Sequence, residues 1–457
     1  MTTLPWKLRL SYGIGHVFND ICASMWFTYL LVYFHLVLGF DTVSSGAILF
    51  IGQIADALST PFIGYQSDKD DGFWLCKYGK RKTWHLLGTL CVLLSFPFIF
   101  TPCIGCGNAH VQAQMVYYGA FVVIFQFGWA AVQISHLALI PELTSCEHER
   151  TQLTAVRYSF TVISNILVYV VTWISLKLGE DTDSNNQLGP NDSINFQRVV
   201  YIGLVLGALT SIGFHFGVKE RPLLQGAVSR RRHKSARDYL SDRKLYQVAI
   251  VYMATRIFVN LGQVYVPLYL HETLSKGAES LAIIPLLMYV SSLLASGAVH
   301  HINKVFGRMV AYIFGAILGI CACIWIKFGG GDRYTEYEIY AVAVLLGFGG
   351  SVLLVTSLGI TADLIGNDTD TGAFVYGSMS FADKLGNGIA VMLIQYFHCT
   401  KYRGYYQNVL SYVCGGSAVV GVLSLLTIRT FYKKLAIAKD ETTPILSHSN
   451  ERKSDEC

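Results

Sequence analysis

Twelve apolar runs, each long enough to cross a lipid bilayer, constrain the fold of this chain more than any other feature of its sequence. A membrane-spanning helix needs about 20 predominantly apolar residues. Only 14% of the 457 residues are charged, whereas soluble domains carry about 25%. We therefore expect an all-α membrane protein, and we exclude a disordered chain, a secreted disulfide scaffold and an ordinary cytosolic enzyme. The predicted spans are Leu10–Leu38, Val43–Tyr65, Trp84–Ile104, Ala113–Ile140, Leu153–Leu176, Val199–Val218, Leu245–Leu270, Leu281–His300, Met309–Phe328, Ile339–Thr361, Phe374–Phe397 and Val409–Phe431.

The positive charges lie mainly on one side of these spans. Of the 35 Lys and Arg residues, 26 fall in the termini, the central loop and the short loops that follow even-numbered spans, and 7 fall in the opposite loops. Because basic loops stay in the cytosol, this bias predicts that both termini and the central loop are cytosolic. The basic run at 230–234 is then a topology signal, and we expect no nucleic-acid partner.

The chain repeats itself once. The stretch from Pro141 to Phe160 recurs 221 residues later, from Ala362 to Phe381. Internal repeats of this kind are typical of transporters, whose two halves rock about a site near the bilayer midplane. The predicted division is an N-terminal six-helix half at 1–218, a basic cytosolic loop at 219–244, a C-terminal six-helix half at 245–432, and a disordered cytosolic tail at 433–457.

Several polar and charged side chains interrupt the apolar runs, and each charged one costs at least about 2.5 kcal/mol at a helix centre on insertion scales. Asp56 and Thr60 are four residues apart and share one helix face, which is a minimal seat for a cation or an ammonium group. Asp383 points to a different helix face from Lys384, so one of these two is a structural partner. Buried ion pairs that only lock helices together are the alternative interpretation. The candidate substrate or cation site comprises Asp20, Asp56, Thr60, Gln133, Arg157, Tyr376 and Lys384, with Arg256 left unassigned.

A balanced set of opposed charges suits a zwitterionic substrate such as an amino acid. We predict that Asp20 and Asp56 receive the ammonium group or a coupled cation, and that Arg157 and Lys384 receive the carboxylate. Gln133 and Tyr376 would add polar lining.

The loop after the second span resembles the signature of the major facilitator superfamily. It reads Gly64-Tyr-Gln-Ser-Asp68 and then Tyr78-Gly-Lys-Arg-Lys82, which is a Gly-x-x-x-Asp followed by a basic cluster. The resemblance implies a twelve-helix fold that works by alternating access. It also implies that Gly64, Asp68 and Arg81 form a conformational latch and do not bind substrate.

Three further stretches resemble the glycoside–pentoside–hexuronide:cation symporters, the melibiose-carrier branch of that superfamily. They are Ser11–Gly15 with Asp20, Pro141–Arg157, and the span that holds Lys384. The resemblance implies that Asp20, Asp56, Arg157 and Lys384 are site residues. Thr60 and Gln133 stand where the branch has carboxylates, which disfavours a sodium site and sugar recognition.

A resemblance over nearly the whole chain narrows the family to eukaryotic lysosomal and melanosomal carriers of this branch. It is carried by Cys22–Leu30, Ser95–Cys103, Gly128–His136 and Gly372–Phe381. It implies cysteine import into the organelle lumen and a link to pigmentation. A cation-coupled sugar symporter and a non-transporting scaffold or sensor remain alternatives. We expect no enzyme and no cofactor, because neither a nucleophile–base set nor a cofactor loop is visible, and a coupled proton stays open.

Smaller motifs lie in the loops and the tail. Asn191-Asp-Ser193 is a glycosylation sequon in a loop predicted to be lumenal. The tail residues Glu441, Ile445 and Leu446 resemble an acidic dileucine signal that sorting adaptors would bind. Cys103 and Cys106 form a loop disulfide, a substrate-sensing thiol pair or two idle thiols. We expect no metal there, because a second pair of ligands is not close in sequence.

Overall fold

The computed structural model describes residues 4–68, 78–106, 109–144, 147–178, 188–220, 243–365, 369–398 and 404–440, and every regular element within these ranges is helical. Twelve long helices account for the predicted spans. Their bounds are α1 Trp6–Val37, α2 Thr42–Asp68, α3 Lys80–Ile99, α4 Val111–Ala138, α5 Glu147–Leu178, α6 Ser193–Gly217, α7 Arg243–Thr273, α8 Ser280–Phe306, α9 Arg308–Phe328, α10 Ile339–Ile365, α11 Thr369–Tyr396 and α12 Tyr405–Asp440.

Within the described residues, eleven helical stretches are long and apolar enough to cross a membrane. The helix outside this set is α11, which carries Asp383 and Lys384 in its middle. The predicted runs from Val43 and Leu153, which polar residues interrupt, nevertheless form the continuous helices α2 and α5. The all-α fold with twelve helices is confirmed, and the helix outside the apolar set is the one that holds two of the charges discussed below.

The helices form two bundles, α1–α6 and α7–α12, that meet along three pairs of helices. These pairs are α1 with α7, α2 with α11, and α5 with α8. Within each bundle the tightest neighbours are α3 with α4 and α9 with α10. The division into residues 1–218 and 245–432 stays a prediction, because 221–242 of the central loop lie outside the described residues. The last helix continues to Asp440, into the predicted tail.

Small residues allow the helices of one half to approach closely. A Cβ atom added to Gly128 on α4 would lie 2.7 Å from the carbonyl oxygen of Gly88 on α3. Lipid offers little hydrophobic drive for helix association, so close backbone packing of this kind stabilises the bundle. Buried aromatic rings, among them Trp26 and Phe125 at 5.4 Å, fill the remaining space.

Because the helices alternate in direction, the bundle has a terminal side, where α1 begins, and a far side, where α1 ends. On the far side, Thr42 at the start of α2 donates to the carbonyl oxygen of Gln395 at the end of α11, at 3.3 Å. Tyr29 of α1 donates to the carbonyl oxygen of Leu281 at the start of α8, also at 3.3 Å. These contacts hold the two halves together on the far side.

Candidate functional site

A cavity of about 260 Å³ lies between the two halves. It is bounded by α1 and α5 from the first half and by α7, α8 and α10 from the second. Apolar side chains form most of its wall, but polar groups from both halves reach it. These polar groups are Asp20, Ser24, Tyr158, Thr161, Asn165, Arg256, Asn260, Gln263, Tyr289, Ser292 and Ser351.

Asp20 brings a carboxylate to the wall of this cavity from the middle of α1. Thr161 of α5 donates to its Oδ2 at 2.8 Å, and His16 Nδ1 lies 2.9 Å from the same oxygen. Both contacts use Oδ2, so among the described residues Oδ1 is left for a ligand.

The tautomer of His16 follows from its two neighbours. Arg157 Nη2 lies 2.8 Å from His16 Nε2. An arginine can only donate, so Nε2 must accept and the proton must sit on Nδ1, facing Asp20. Arg157 therefore acts on Asp20 through the imidazole, and it lies beside the cavity. The structure brings Arg157 close to Asp20 but places it behind the carboxylate.

Arg256 brings the opposite charge from α7. Its Nε donates to Asp383 Oδ2 at 2.7 Å, and Asn387 Nδ2 donates to Asp383 Oδ1 at 2.6 Å. The Arg256 side chain is 27% exposed, whereas the Asp383 side chain is 4% exposed. The carboxylate thus fixes the guanidinium from behind through Nε, and the Arg256 side chain lines the cavity.

Asp56 and Lys384 form a second buried ion pair, which joins the two halves. Lys384 Nζ on α11 lies 2.6 Å from Asp56 Oδ1 on α2, and both side chains are at most 10% exposed. Thr60 accepts from Lys384 at 2.7 Å and donates to Asp56 at 3.2 Å. The ammonium group also lies 5.5 Å from the ring centroid of Trp129. Asp56, Thr60 and Lys384 thus form a cluster whose contacts are made within the protein in this conformation, and their role as a substrate or cation seat stays a prediction.

The other predicted site residues lie in different surroundings. Gln133 is half-buried on α4 and is not among the described residues that line the cavity. The side chain of Tyr376 lies outside the described residues. Sequence analysis noted Arg256 without assigning it to the site, and it overlooked Asn165. An arginine inside an apolar run was the available signal for Arg256, whereas an asparagine among small polar residues gives none.

The predicted latch residue Arg81 ties together several terminal-side ends of the first half. Its Nη1 donates to Ser67 Oγ at 2.6 Å, and its Nε donates to Glu142 Oε1 at 3.2 Å. Glu220 accepts from the backbone N–H of Arg81 at 3.1 Å, which places a carboxylate at the positive N-terminal end of α3. Ser67 in turn donates to the carbonyl oxygen of Gly64 at 3.2 Å. The side chain of Asp68 lies outside the described residues.

Burial raises the pKa of the Glu142 carboxyl, and the nearby Glu220 carboxylate raises it further, although Arg81 acts in the opposite direction. Glu142 belongs to a short helix, Ile140–Leu143, between α4 and α5. The first copy of the internal repeat, which begins at Pro141, therefore supplies a carboxylate partner for the predicted latch residue Arg81.

The peripheral motifs lie away from the cavity. Asn191 is exposed in a short 3-10 turn on the far side, just before α6. Cys103 and Cys106 are paired as a disulfide at the far side of α3. The tail motif of Glu441, Ile445 and Leu446 lies outside the described residues.

Known proteins similar to this chain are membrane carriers. Residues 11–428 match the family described as MFS/sugar transport protein. The human protein called Major facilitator superfamily domain-containing protein 12 is 44% identical over 452 residues, with 92% of each chain covered. The protein of that name from Mus musculus is 42% identical over 452 residues, covering 93% of this chain and 94% of the relative.

A crystal structure of a D-xylose-proton symporter has the same fold, with a TM-score of 0.69 at 14% identity, covering 92% of this chain and 96% of the other. The fold, the cavity between two six-helix halves and these matches agree that the chain is a multi-pass membrane transporter of the alternating-access type. The chain belongs to the major facilitator superfamily, in the melibiose-carrier-like branch that includes the Major facilitator superfamily domain-containing protein 12 group.

Proposed function

We propose that this chain carries a small zwitterionic amino acid, cysteine, across an organelle membrane by alternating access. The observation that carries the proposal is the pair of opposite charges on the cavity wall: Asp20 from the first half and Arg256 from the second. An α-amino acid carries one charge of each sign on adjacent groups. A substrate held at both ends would therefore bridge the two halves that must move.

The chemistry of each end supports this assignment. Asp20 Oδ1 would accept from the substrate ammonium group, with Thr161 and His16 holding Oδ2. Arg256 would donate to the substrate carboxylate through its terminal nitrogens, a geometry that suits planar carboxylates. Asp383 occupies Nε and so restricts the rotation of the guanidinium. Lys384, which sequence analysis assigned to the carboxylate, is paired with Asp56 and is not among the described residues that line the cavity, whereas Arg256 lines it although it is paired with Asp383.

The size and wall of the cavity favour a small side chain with apolar character. About 260 Å³ lies below the range of about 300–1,000 Å³ for drug-sized ligands. Phe27, Phe258 and Met288 form part of the wall. A thiol packs well against aromatic and thioether groups, which supports cysteine over a polar side chain.

Proteoliposomes that contain the full chain can test this proposal. We expect uptake of radiolabelled cysteine under reducing conditions, with little competition from cysteamine, which lacks the carboxylate, or from 3-mercaptopropionate, which lacks the amine. Arg256→Gln should reduce cysteine uptake and remove the discrimination against cysteamine. Asp20→Asn should likewise reduce cysteine uptake, and it should remove the discrimination against 3-mercaptopropionate.

The matched control is Arg333→Gln, which removes an arginine whose side chain is 88% exposed and lies outside the cavity wall. This variant should keep uptake and selectivity. Sodium-dependent uptake of a glycoside in place of cysteine would favour the sugar symporter alternative. Cysteine binding without flux in wild-type protein would favour the sensor alternative. Unchanged selectivity in both cavity variants would remove Asp20 and Arg256 from the site.

For location, we propose the lysosomal and melanosomal membrane, with both termini in the cytosol and transport toward the lumen. The excess of basic residues on the terminal side supports this orientation. The tail motif supports endolysosomal sorting through adaptors. Replacing Glu441, Ile445 and Leu446 together with alanine should move a tagged chain to the cell surface in pigment cells. Unchanged lysosomal staining of that variant would show that the motif is not the sorting signal.

A further inference from the structure

Three ionisable side chains meet on the far side of the bundle, at the junction of the two halves. His35 Nε2 at the end of α1 lies 3.2 Å from Glu272 Oε1 at the end of α7. His398, just after α11, places Nε2 3.5 Å from Glu272 Oε2, and its side chain is 3% exposed. A carboxylate of the second half thus lies between an imidazole of each half. We refer to His35, Glu272 and His398 as the far-side triad.

The helix ends that present this triad are equivalent in the two halves. The last five residues of α1 and of α7, Tyr33–Val37 and Tyr269–Thr273, both form a π-helical turn. Both turns begin with Tyr-x-His in the sequence. A π-turn changes the direction of the side chains that follow it and is frequent at functional sites. The two turns bring His35 and Glu272 together across the interface.

The geometry of His35 fixes the number of protons in the triad. His35 Nδ1 lies 2.9 Å from the carbonyl oxygen of Phe40, which can only accept, so Nδ1 carries a proton. In a neutral ring, the unprotonated Nε2 would then lie 3.2 Å from the Glu272 carboxylate, which is repulsive. The contact is favourable only when one more proton lies on Nε2 or on Glu272. His398 needs no extra proton, since a neutral ring can donate from Nε2.

Other titratable groups lie near the triad. Asp41 adds negative charge near His35. His271 adjoins Glu272 along the chain, and its ring interacts with Glu272 and His35. The rings of Tyr405 and Tyr406 lie 4.9 and 5.0 Å from the ring of His398. Among the described residues that face the triad, Asp41 therefore adds a second negative charge that favours the bound proton.

We propose that the far-side triad is a proton-binding site that favours the conformation closed on the far side. Closure brings Glu272 to His35 and takes up one proton from the far compartment. Opening separates α1 from α7, and the His35 imidazole, once separated from Glu272, releases its proton at about pH 6.5, the ordinary value for histidine. An acidic far compartment then holds the carrier closed on that side. The consequence for transport, that acid favours reloading from the terminal side, rests on the proposed function.

Hydrogen exchange of the full chain in nanodiscs, without substrate, tests the proton site directly. Rates would be compared at pH 5.5 and 7.5 after correction for intrinsic exchange, in peptides that cover 33–41 and 269–279. Uptake of one proton on closure changes the closed-to-open ratio by at most about tenfold per pH unit. We expect exchange at these peptides to increase at least fivefold at pH 7.5. His35→Gln and Glu272→Gln should each reduce this pH effect to less than twofold.

The matched control is Glu279→Gln, which weakens a different far-side contact, with Lys177 Nζ at 3.6 Å, without touching an imidazole. It should raise exchange equally at both pH values and keep the wild-type pH effect. If one of the two triad variants aggregates in size-exclusion chromatography, the pH effect measured on the other variant tests the proposal. Wild-type exchange that is independent of pH, or a full pH effect in a folded His35→Gln or Glu272→Gln chain, overturns the proposal. Because no substrate is present, neither result depends on the identity of the cargo.

Discussion

The Asp56–Lys384 pair offers a quantitative test of how the two halves are joined. Asp56→Asn would remove the carboxylate that pairs with the buried Lys384 ammonium group, while Thr60 and the face of Trp129 stay nearby. Removing one partner of a buried pair costs about 3–5 kcal/mol, whereas replacing both partners with neutral residues is often close to neutral. The double variant Asp56→Asn/Lys384→Met should therefore be more stable than Asp56→Asn alone, with a coupling free energy of about 2 kcal/mol or more.

The measurement is a double-mutant cycle on the purified chain, unfolded by SDS in mixed micelles and followed by tryptophan fluorescence. The two single variants should also differ in their response to pH. Lys384→Met leaves a carboxylate that can take up a proton, so its destabilisation should shrink in acid. Asp56→Asn leaves an ammonium group, so its destabilisation should persist there.

The control cycle combines Asp56→Asn with Glu279→Gln, which lies in a separate and more exposed contact. Effects at separate sites add within about 0.5 kcal/mol, so this cycle should show no coupling. Additive effects of Asp56→Asn and Lys384→Met would refute the reasoning, because they would mean that the two charges do not stabilise one another in the folded chain.

Three further outcomes follow from the structure. Gly128→Val should reduce the yield of folded protein in size exclusion, because its Cβ would lie 2.7 Å from the Gly88 carbonyl oxygen; wild-type yield would contradict the close packing of α3 and α4. Glu142→Gln should flatten the dependence of stability on pH above about pH 4.5, as measured by thermal unfolding. The pKa of Glu142 is raised in the folded chain, so the stability that its protonated form contributes in acid is lost as the pH rises from the ordinary carboxyl pKa through the raised one. A pH dependence identical to that of the wild type would contradict this role of Glu142. Asn191→Gln should shift the chain to faster gel migration, matching the enzymatically deglycosylated wild type, and no shift would mean that the sequon carries no glycan.

The fold could be predicted from the sequence because each membrane helix is encoded locally. A run of about 20 apolar residues forms a helix in lipid whatever its neighbours are, since its backbone must be satisfied internally. The limits of this argument are visible at α11, which holds Asp383 and Lys384 and falls outside the apolar spans. Its helix depends on partners from α2 and α7 that neutralise those charges. The boundaries of the runs were less accurate because π-turns and loop caps shift the ends of helices.

The pairing of the charged side chains could not be predicted from the local sequence. Periodicity shows that Asp383 and Lys384 face different directions, but it does not show what lies in either direction. Lys384 meets Asp56, which is 328 residues away in the chain, and Asp383 meets Arg256 on a third helix. These contacts are set by the packing angles of whole helices. Sequence analysis therefore found most of the charged groups and placed one of the cavity charges, Asp20, in the candidate site, while leaving the other, Arg256, outside it.

The arrangement of these pairs has a consequence for how such a carrier could move. The Arg256–Asp383 pair lies within the second half and can travel with it unchanged. Asp56–Lys384 crosses between the halves, as does His35–Glu272 on the far side. Only the pairs that cross between the halves, among which the more exposed Lys177–Glu279 contact also belongs, must change when the halves rock. Asp56–Lys384 and His35–Glu272 are both built from groups that can exchange a proton or a ligand. The charge that does not change partners, Arg256, is therefore the one suited to hold substrate through the whole cycle.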